Sequence, residues 1–173
     1  MKPSVIAYLV ILGGALLWCA ALVLPPLLLS AGGAWGVVGI ALYGPFHTIC
    51  HQLTERSFHI LGAPLAVCIR CSAIYFGFLF GTILYLPVRL FGVSITETRG
   101  MLFVSILPLL VDGVLDLLGV HASTGAARLM TGSFFGVVVP FYVIPAAQEA
   151  MQELLAASRF FIPSDIKKGS THA

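Results

Sequence analysis

The chain has 173 residues, of which 59% are hydrophobic and only 9% are charged, and its formal net charge is +2 at neutral pH. Because a soluble domain carries about 25% charged residues, this composition excludes a soluble enzyme and a disordered chain. The small net charge also excludes a nucleic-acid-binding surface, which requires clustered basic residues. The composition therefore predicts an integral membrane protein in contact with the lipid bilayer.

Four apolar stretches are long enough to cross a bilayer, which takes about 20 residues in a helix. They cover residues 5–29, 72–91, 101–120 and 129–147. The first stretch is too long for the core of a signal peptide, and no small-residue cleavage site follows it. We therefore predict an all-α bundle of four membrane-spanning helices, forming a single membrane domain over residues 1–173.

A shorter apolar segment and a polar tail complete the chain. Residues 35–46 are few and rich in glycine, so we predict a re-entrant or interfacial segment there. Glu149 and Glu153 stand at helical spacing beside apolar residues, which predicts a helix that leaves the membrane along its surface from residue 148 onward. Residues 163–173 are expected to fray.

Lysine and arginine residues near the helix ends predict the orientation, because the cytoplasmic side of membrane proteins is richer in them. With the N-terminus inside, six basic residues fall on the cytoplasmic side and three fall outside. The six are Lys2, Arg89, Arg99, Arg159, Lys167 and Lys168, and the three are Arg56, Arg70 and Arg128. We predict that both termini face the cytoplasm of a bacterial or archaeal cell and that the loop between the first two spans lies outside.

This outer loop concentrates the residues that bind metals. Three of the four cysteines and three of the five histidines fall within 25 residues of one another. Cys50, Cys68 and Cys71, together with His51 or His47, make a three-cysteine, one-histidine set that suits zinc. Adjacent residues point apart in a regular helix, so His47 competes with His51 for the fourth position. The pattern predicts a site for zinc or another transition metal.

Two alternatives without a metal remain open for these cysteines. Cys68 and Cys71 have the spacing of redox-active thiols, and a structural disulfide would also be stable on the oxidising side of the membrane. A third cysteine left unpaired favours a metal or a reactive thiol over a simple disulfide. Cys19 lies inside the first span and is predicted to be a packing residue.

Two aspartates interrupt the third apolar stretch. Asp112 and Asp116 are four residues apart and therefore share one helix face. Asp112 is predicted near the bilayer centre, where an aspartate costs about 2.5–3.5 kcal/mol on insertion scales. We therefore expect its carboxylate to be paired, protonated or open to a water-filled cavity, and to be either functional or part of a structural ion pair. Arg128 is close enough along the chain to pair with either aspartate.

The aspartates and arginines are the candidate catalytic residues. Asp112 would act as a general base, with Asp116 beside it on the same helix face, and Arg70 or Arg128 would hold an anionic head group. Arg56 also flanks the cysteines and could bind either an anion or one of the acids. Four short helices leave little room between the sets, so we predict that the cysteine–histidine set and the aspartate–arginine set form one polar chamber.

Small and hydroxylated residues near the fourth span have structural interpretations. Gly132 and Gly136 form a pair of small residues that allows close helix packing. Ser123 or Thr124 is predicted to cap the helix that follows.

Several short motifs resemble a family of small bacterial and archaeal membrane proteins of unknown function. The motifs are Cys50-His51-Gln52, Arg56-Ser57-Phe58, Cys68-x-Arg70-Cys71, Asp112-Gly113 and Thr131-Gly132. The resemblance implies a polytopic membrane protein with a shared site, but it implies no particular activity. Family members often carry an amide at the position of Asp116 and an asparagine at that of Gly125, so the resemblance favours Asp112 among the two acids.

Three functions are compatible with this sequence. The first is a metal-dependent enzyme that acts on a lipid or another anionic substrate at the membrane surface. The second is a thiol–disulfide oxidoreductase coupled to a quinone, which Tyr75, Phe76 and Phe78 would border. The third is a metal carrier, transporter or assembly subunit, for which four spans would require a homo-oligomer. No HExxH motif supports a standard metalloprotease, and no CxxCH motif supports haem attachment.

Overall fold

The computed structural model describes three stretches of the chain, residues 3–92, 99–120 and 122–160. Within them the protein has six α-helices and a two-stranded sheet. In chain order these are α1 (Pro3–Ala31), α2 (Gly33–His47), β1 (Ser57–Ile60), β2 (Ala63–Cys68), α3 (Ile69–Leu90), α4 (Arg99–Leu117), α5 (Gly125–Val138) and α6 (Pro140–Phe160). The predictions for Lys2, Lys167, Lys168 and residues 163–173 lie outside the described residues.

The all-α membrane bundle predicted from the sequence is confirmed. Four helical stretches are long and apolar enough to cross a membrane, namely Pro3–Ala31, Ile69–Leu90, Gly100–Leu117 and Gly125–Ala157. The fourth is longer than predicted, because α5 and α6 follow each other almost without a break. The amide of Val139 donates to the Phe135 carbonyl, and its own carbonyl accepts from Val143. Pro140 has no N–H, and it loses no hydrogen bond as the first residue of α6.

The glycine-rich segment after the first span forms a complete helix, α2, that packs antiparallel to the end of α1. Gly39 permits this contact, because a Cβ there would lie 2.7 Å from the Leu29 nitrogen and 2.9 Å from the Pro25 carbonyl oxygen. Neither helix contains a charged residue, and Trp35 and Ile40 are 63% and 62% exposed. The two helices thus present an apolar surface. The re-entrant or interfacial position of α2 in the membrane stays a prediction.

A β-hairpin that the sequence did not predict connects α2 to α3. Its strands pair antiparallel with Ser57 opposite Cys68. Leu61 and Gly62 in its turn both have positive φ, 51° and 82°, as a type I′ turn requires. Because β2 leads directly into α3 and contacts α1, the hairpin holds Cys68, its last residue, at the end of the bundle.

Contacts between α1 and α3 show that these two helices run antiparallel. Near one end of the bundle, the Tyr8 hydroxyl donates to the Thr82 carbonyl at 3.2 Å. Near the middle, the Cys19 thiol donates to the Tyr75 carbonyl at 3.5 Å. Cys19 is buried, in agreement with its predicted packing role. The start of α3 therefore lies at the same end of the bundle as the later part of α1.

Close packing between α3 and α5 aligns the two helices in the same direction. A Cβ at Gly132 would lie 2.8 Å from the Arg70 carbonyl oxygen, and one at Gly77 would lie 3.0 Å from the Ser133 carbonyl oxygen. Gly136 likewise meets the backbone of Ile74. The predicted glycine packing seam is thus confirmed, and it places the start of both helices at one end of the bundle.

Gly81→Ala should lower the free energy of unfolding by about 1–3 kcal/mol. The added Cβ would overlap the backbone carbonyl of Val137, and backbone cannot move aside without separating α3 from α5. Thermal unfolding of the detergent-solubilised protein measures this change. Gly44→Ala is the control, because no atom lies within 4 Å of its Cβ position and alanine favours a helix by up to about 1 kcal/mol. Equal stability of the two variants would contradict the close packing.

Candidate functional site

Three cysteines meet at the end of the bundle where α3 begins. The Sγ atoms of Cys50, Cys68 and Cys71 lie within 4.8 Å of one another, and we call these residues the thiol group. The second span was predicted to begin at residue 72, but α3 begins at Ile69 because Cys68 adopts an extended N-cap conformation, with φ −66° and ψ 165°. Cys68 and Cys71 therefore belong to the first turn of a helix, where the free amides favour negative charge.

The thiol group has the composition and spacing that zinc requires. Bonds of about 2.3 Å in a tetrahedral site place zinc-bound sulfurs about 3.8 Å apart, which is compatible with the observed group. The Cys68 amide donates to the Cys50 Sγ at 3.2 Å. Hydrogen bonds from Cys68, and next from Cys71, hold the pKa of the Cys50 thiol well below its ordinary value. Because the thiolate is the metal-binding form, the three residues could hold a metal ion.

The two histidines predicted as fourth ligands take different positions. Neither of them belongs to the thiol group. His51 is exposed and lines the same cavity as the thiols, whereas His47 is exposed in the last turn of α2 and does not line it. The three thiols line the cavity that His51 also lines, so a metal held by them would lie beside this cavity.

Two aspartates of α4 hold three arginines from other parts of the chain. Arg70 Nη2 donates to Asp112 Oδ2 at 2.5 Å. Arg56 and Arg128 donate to the two different carboxylate oxygens of Asp116, at 3.0 and 3.1 Å. The expected ion pair between Arg128 and an aspartate is thus present, and the arginines that flank the cysteines pair with acids as well. We call these five residues the arginine–aspartate network.

The network is largely withdrawn from solvent and has an excess of positive charge. The side chains of Arg128 and Asp116 are only 8% and 10% exposed, whereas that of Arg56 is 44% exposed. Arg70 Nε is buried without a hydrogen-bond partner, and an unsatisfied buried donor costs about 1–3 kcal/mol. Three arginines face two aspartates, so the network has an excess positive charge that attracts an anion.

One cavity of about 420 Å³ connects the thiol group to the network. Its size lies in the range of about 300–1,000 Å³ that is typical of ligand sites. The polar residues of its lining are Cys50, His51, Gln52, Arg56, Cys68, Arg70, Cys71, Asp116 and Arg128. The cysteine–histidine set and the aspartate–arginine set, which were predicted to share one chamber, therefore line one cavity, apart from His47 and Asp112. Asp112 contacts Arg70, which lines the cavity.

Gln52 has a structural role that the sequence did not reveal. Its Nε2 donates to the Tyr43 carbonyl at 2.8 Å and to the Ala66 carbonyl at 2.9 Å, and its φ is 49°. These two hydrogen bonds join the last part of α2 to β2 and thereby keep Cys50 close to Cys68. The only signal in the sequence was its place in the Cys50-His51-Gln52 motif.

The hydroxylated residues before α5 confirm one predicted cap. Thr124 is the N-cap, and its Oγ1 accepts from the Ala127 amide at 3.2 Å. The neighbouring Ser123 amide donates to Asp116 at 3.3 Å. The start of α5 is thus attached to α4 close to the network.

A comparison with known protein families identifies a match over the whole site. The family described as "Predicted membrane protein (DUF2085)" matches residues 50–142, which include the thiol group and the network and cover more than half of the chain. The chain belongs to this family. The resemblance found in the sequence motifs is therefore confirmed.

Archaeal relatives are similar over most of their own length. An uncharacterized protein of Methanocaldococcus jannaschii is 34% identical over 141 residues, which cover 80% of this chain and 90% of the relative. An uncharacterized protein of Methanothermobacter thermautotrophicus is 32% identical over 95 residues, which cover 53% of this chain and 81% of the relative. No solved structure is significantly similar to the chain. The family match thus establishes a membrane protein.

Proposed function

We propose that the protein is a zinc-dependent membrane enzyme that acts on an anionic group at the outer face of the membrane. The observation that supports this most is the single cavity lined by both the thiol group and the network. A structural zinc site is closed by four protein ligands, whereas a catalytic site keeps one position open. Among the described residues only three ligands converge. Zinc with an open position supplies a Lewis acid for hydrolysis.

The arginines bind the substrate in this proposal, and the aspartates position the arginines. Arg70 and Arg128 line the cavity and offer the forked donors that suit a carboxylate or phosphate. Asp112 was predicted as a general base, but it does not line the cavity and its carboxylate accepts from Arg70. Asp116 accepts from two arginines. We therefore assign both aspartates a positioning role.

Lipid analysis of reconstituted protein tests this enzymatic function. The zinc-loaded protein, incorporated into liposomes of archaeal polar lipid extract, should convert an anionic component that mass spectrometry detects before and after incubation. Arg70→Gln should slow this conversion, and removal of zinc by chelation should stop it. Stoichiometric zinc without conversion of any component would contradict catalysis and support a structural metal site.

The state of the thiols distinguishes the redox alternative from the proposed function. Zinc that survives dialysis, together with thiols that react slowly with alkylating reagents, is the result we expect. A metal-free protein with a Cys68–Cys71 disulfide that quinol reduces would instead support thiol–disulfide exchange. Zinc lost on mild chelation, with no substrate converted, would support a metal carrier.

The spacing of charges on α3 supports a site at a membrane surface. Arg70 and Arg89 are 19 residues apart, which corresponds to about 28 Å of helix and matches the roughly 30 Å hydrocarbon core of a bilayer. We propose that the Arg70 end lies outside the cell, since the predicted excess of basic residues lies at the Arg89 end.

Cysteine labelling in whole cells should show this orientation. Glu55→Cys should react with a membrane-impermeant maleimide, because Glu55 is exposed at the proposed outer end of the bundle. Glu153→Cys, also exposed but at the other end on α6, should react only after the cells are permeabilised. The opposite result would reverse the orientation. Wild-type protein supplies the background from the native thiols.

Gln52→Ala should lower the affinity for zinc about 10- to 100-fold, as is typical when a residue that orients a metal ligand is lost. The substitution removes both hydrogen bonds that hold the Cys50 loop against β2. Competition with a chromophoric chelator measures the affinity. Gln148→Ala is the matched control, because Gln148 also donates to a backbone carbonyl, that of Ser4, at the other end of the bundle. Wild-type affinity in Gln52→Ala would show that the loop needs no such support.

A further inference from the structure

A second cavity lies between α1 and α3, deeper in the bundle than the thiol group. It has a volume of about 340 Å³ and is lined by Gly14, Ala15, Trp18, Tyr75 and Phe78. The rings of Trp18 and Tyr75 meet edge to face, with their centroids 5.7 Å apart. We call this cavity the aromatic groove. Its lining suits a hydrocarbon chain, and the site described above does not use it.

One face of α3 carries residues that line the polar cavity and residues that line the aromatic groove. Cys71, Tyr75 and Phe78 stand at positions i, i+4 and i+7, so they lie along the same side of the helix. Cys71 lines the polar cavity, whereas the two aromatic residues line the groove. At 1.5 Å per residue, Tyr75 lies about 6 Å and Phe78 about 10 Å farther toward the middle of the span.

We propose that the substrate is a membrane lipid with an anionic phosphate head group, which places its head in the polar cavity and part of its chain in the aromatic groove. The order of the two cavities along α3 matches a lipid in a bilayer, whose head lies at the surface and whose chain lies beneath it. Arg70 Nε is a buried donor without a partner, and a guanidinium suits phosphate oxygens. This inference rests on the proposed function, since it names the substrate of the same site.

Two glycines of α1 provide a matched pair of variants. Gly14 lines the aromatic groove, and a Cβ there meets no atom within 4 Å, so Gly14→Leu is the variant designed to fill the groove. Gly13 has the same open surroundings and does not line the groove, so Gly13→Leu is the control. Arg70→Gln removes the donor for the head group.

Binding of three probes to the zinc-loaded protein, measured by native mass spectrometry, tests the inference. The probes are dioleoyl phosphatidic acid, dihexanoyl phosphatidic acid and inorganic phosphate. Wild-type protein should bind the long-chain lipid at least about tenfold more tightly than the short-chain lipid, because additional methylene groups are buried. Gly14→Leu should abolish this difference, Gly13→Leu should preserve it, and Arg70→Gln should weaken the binding of both lipids.

The outcomes separate the inference from the proposed function. Equal affinity for the two lipids, or a Gly14→Leu variant that behaves like wild type, would overturn the lipid inference and leave zinc and the arginines as proposed. Binding of inorganic phosphate with no preference for either lipid would overturn it too, and would assign a soluble anion to the cavity. If none of the probes binds, both the inference and the anionic substrate of the proposed function fail.

Discussion

Replacing Cys50, Cys68 or Cys71 by serine should remove zinc from the purified protein, whereas Cys19→Ser should leave the zinc content unchanged. Zinc binding by small sites with four protein ligands amounts to roughly 10–16 kcal/mol, so one ligand contributes on the order of 2.5–4 kcal/mol. Loss of one thiolate should therefore weaken binding about 10²- to 10³-fold. Metal content after dialysis against a weak chelator, measured by mass spectrometry, shows the difference.

Cys19 is a suitable control because it is a cysteine of the same bundle that lies apart from the thiol group. It is buried in α1, and its thiol donates to the carbonyl of Tyr75. Serine can keep this hydrogen bond, so the fold should persist. Zinc retained by all three variants of the thiol group, or lost equally in Cys19→Ser, would show that the metal binds elsewhere.

Asp112→Asn should lower the free energy of unfolding by about 3 kcal/mol, at the lower end of the range for buried ion pairs. The substitution leaves the Arg70 guanidinium without its anionic partner, and the side chain of Arg70 is only 21% exposed. Thermal or denaturant unfolding in detergent measures the loss. Because Arg70 would also be free to move, the affinity for a phosphate-containing lipid should fall in the same variant.

A double variant separates the loss of the ion pair from a general loss of packing. Asp112→Asn combined with Arg70→Gln removes both charges and should regain much of the stability lost in the single variant. Glu153→Gln removes an acid that is exposed on α6 and should unfold like wild type. An Asp112→Asn variant as stable as wild type would contradict a coupled buried pair. So would a double variant whose loss in free energy of unfolding equals the sum of the two single losses.

The bundle and the convergence of the two sets of residues follow from the sequence through simple topology. Long uncharged stretches predict helices that cross the membrane, and two such spans separate the cysteine loop from the turn before α5. A chain that crosses the membrane twice returns to the side where it began. Cys68 and Arg128 were therefore expected at the same end of the bundle, and both line one cavity.

Details that depend on distant backbone contacts could not be predicted. The two carbonyls that accept from Gln52 lie nine and fourteen residues away, and no local pattern marks such partners. The strands of the β-hairpin have only four and six residues. They are too short to show a clear alternating pattern in the sequence. The role of Asp112 likewise depends on which side chain it meets, since helical spacing alone groups it with Asp116.

The aromatic groove shows a similar limit. The sequence singled out Tyr75, Phe76 and Phe78 as aromatic residues that could border a quinone, and two of these three, Tyr75 and Phe78, line the groove. Trp18 and Gly14 come from a different span, and their meeting with α3 depends on the antiparallel alignment of the two helices. Pairing of spans depends on shape complementarity between whole helix surfaces, and no local pattern in the sequence marks the pairing of α1 with α3.

X-ray absorption spectroscopy of the zinc-loaded protein tests the metal site most directly, because it counts the atoms bound to the metal. Three sulfur ligands at about 2.3 Å and one nitrogen or oxygen ligand at about 2.0–2.1 Å are expected. In Cys71→Ser protein saturated with zinc, one sulfur ligand should be lost. A wild-type spectrum with four sulfur ligands, or with none, would contradict a three-cysteine zinc site that opens onto the arginine-lined cavity.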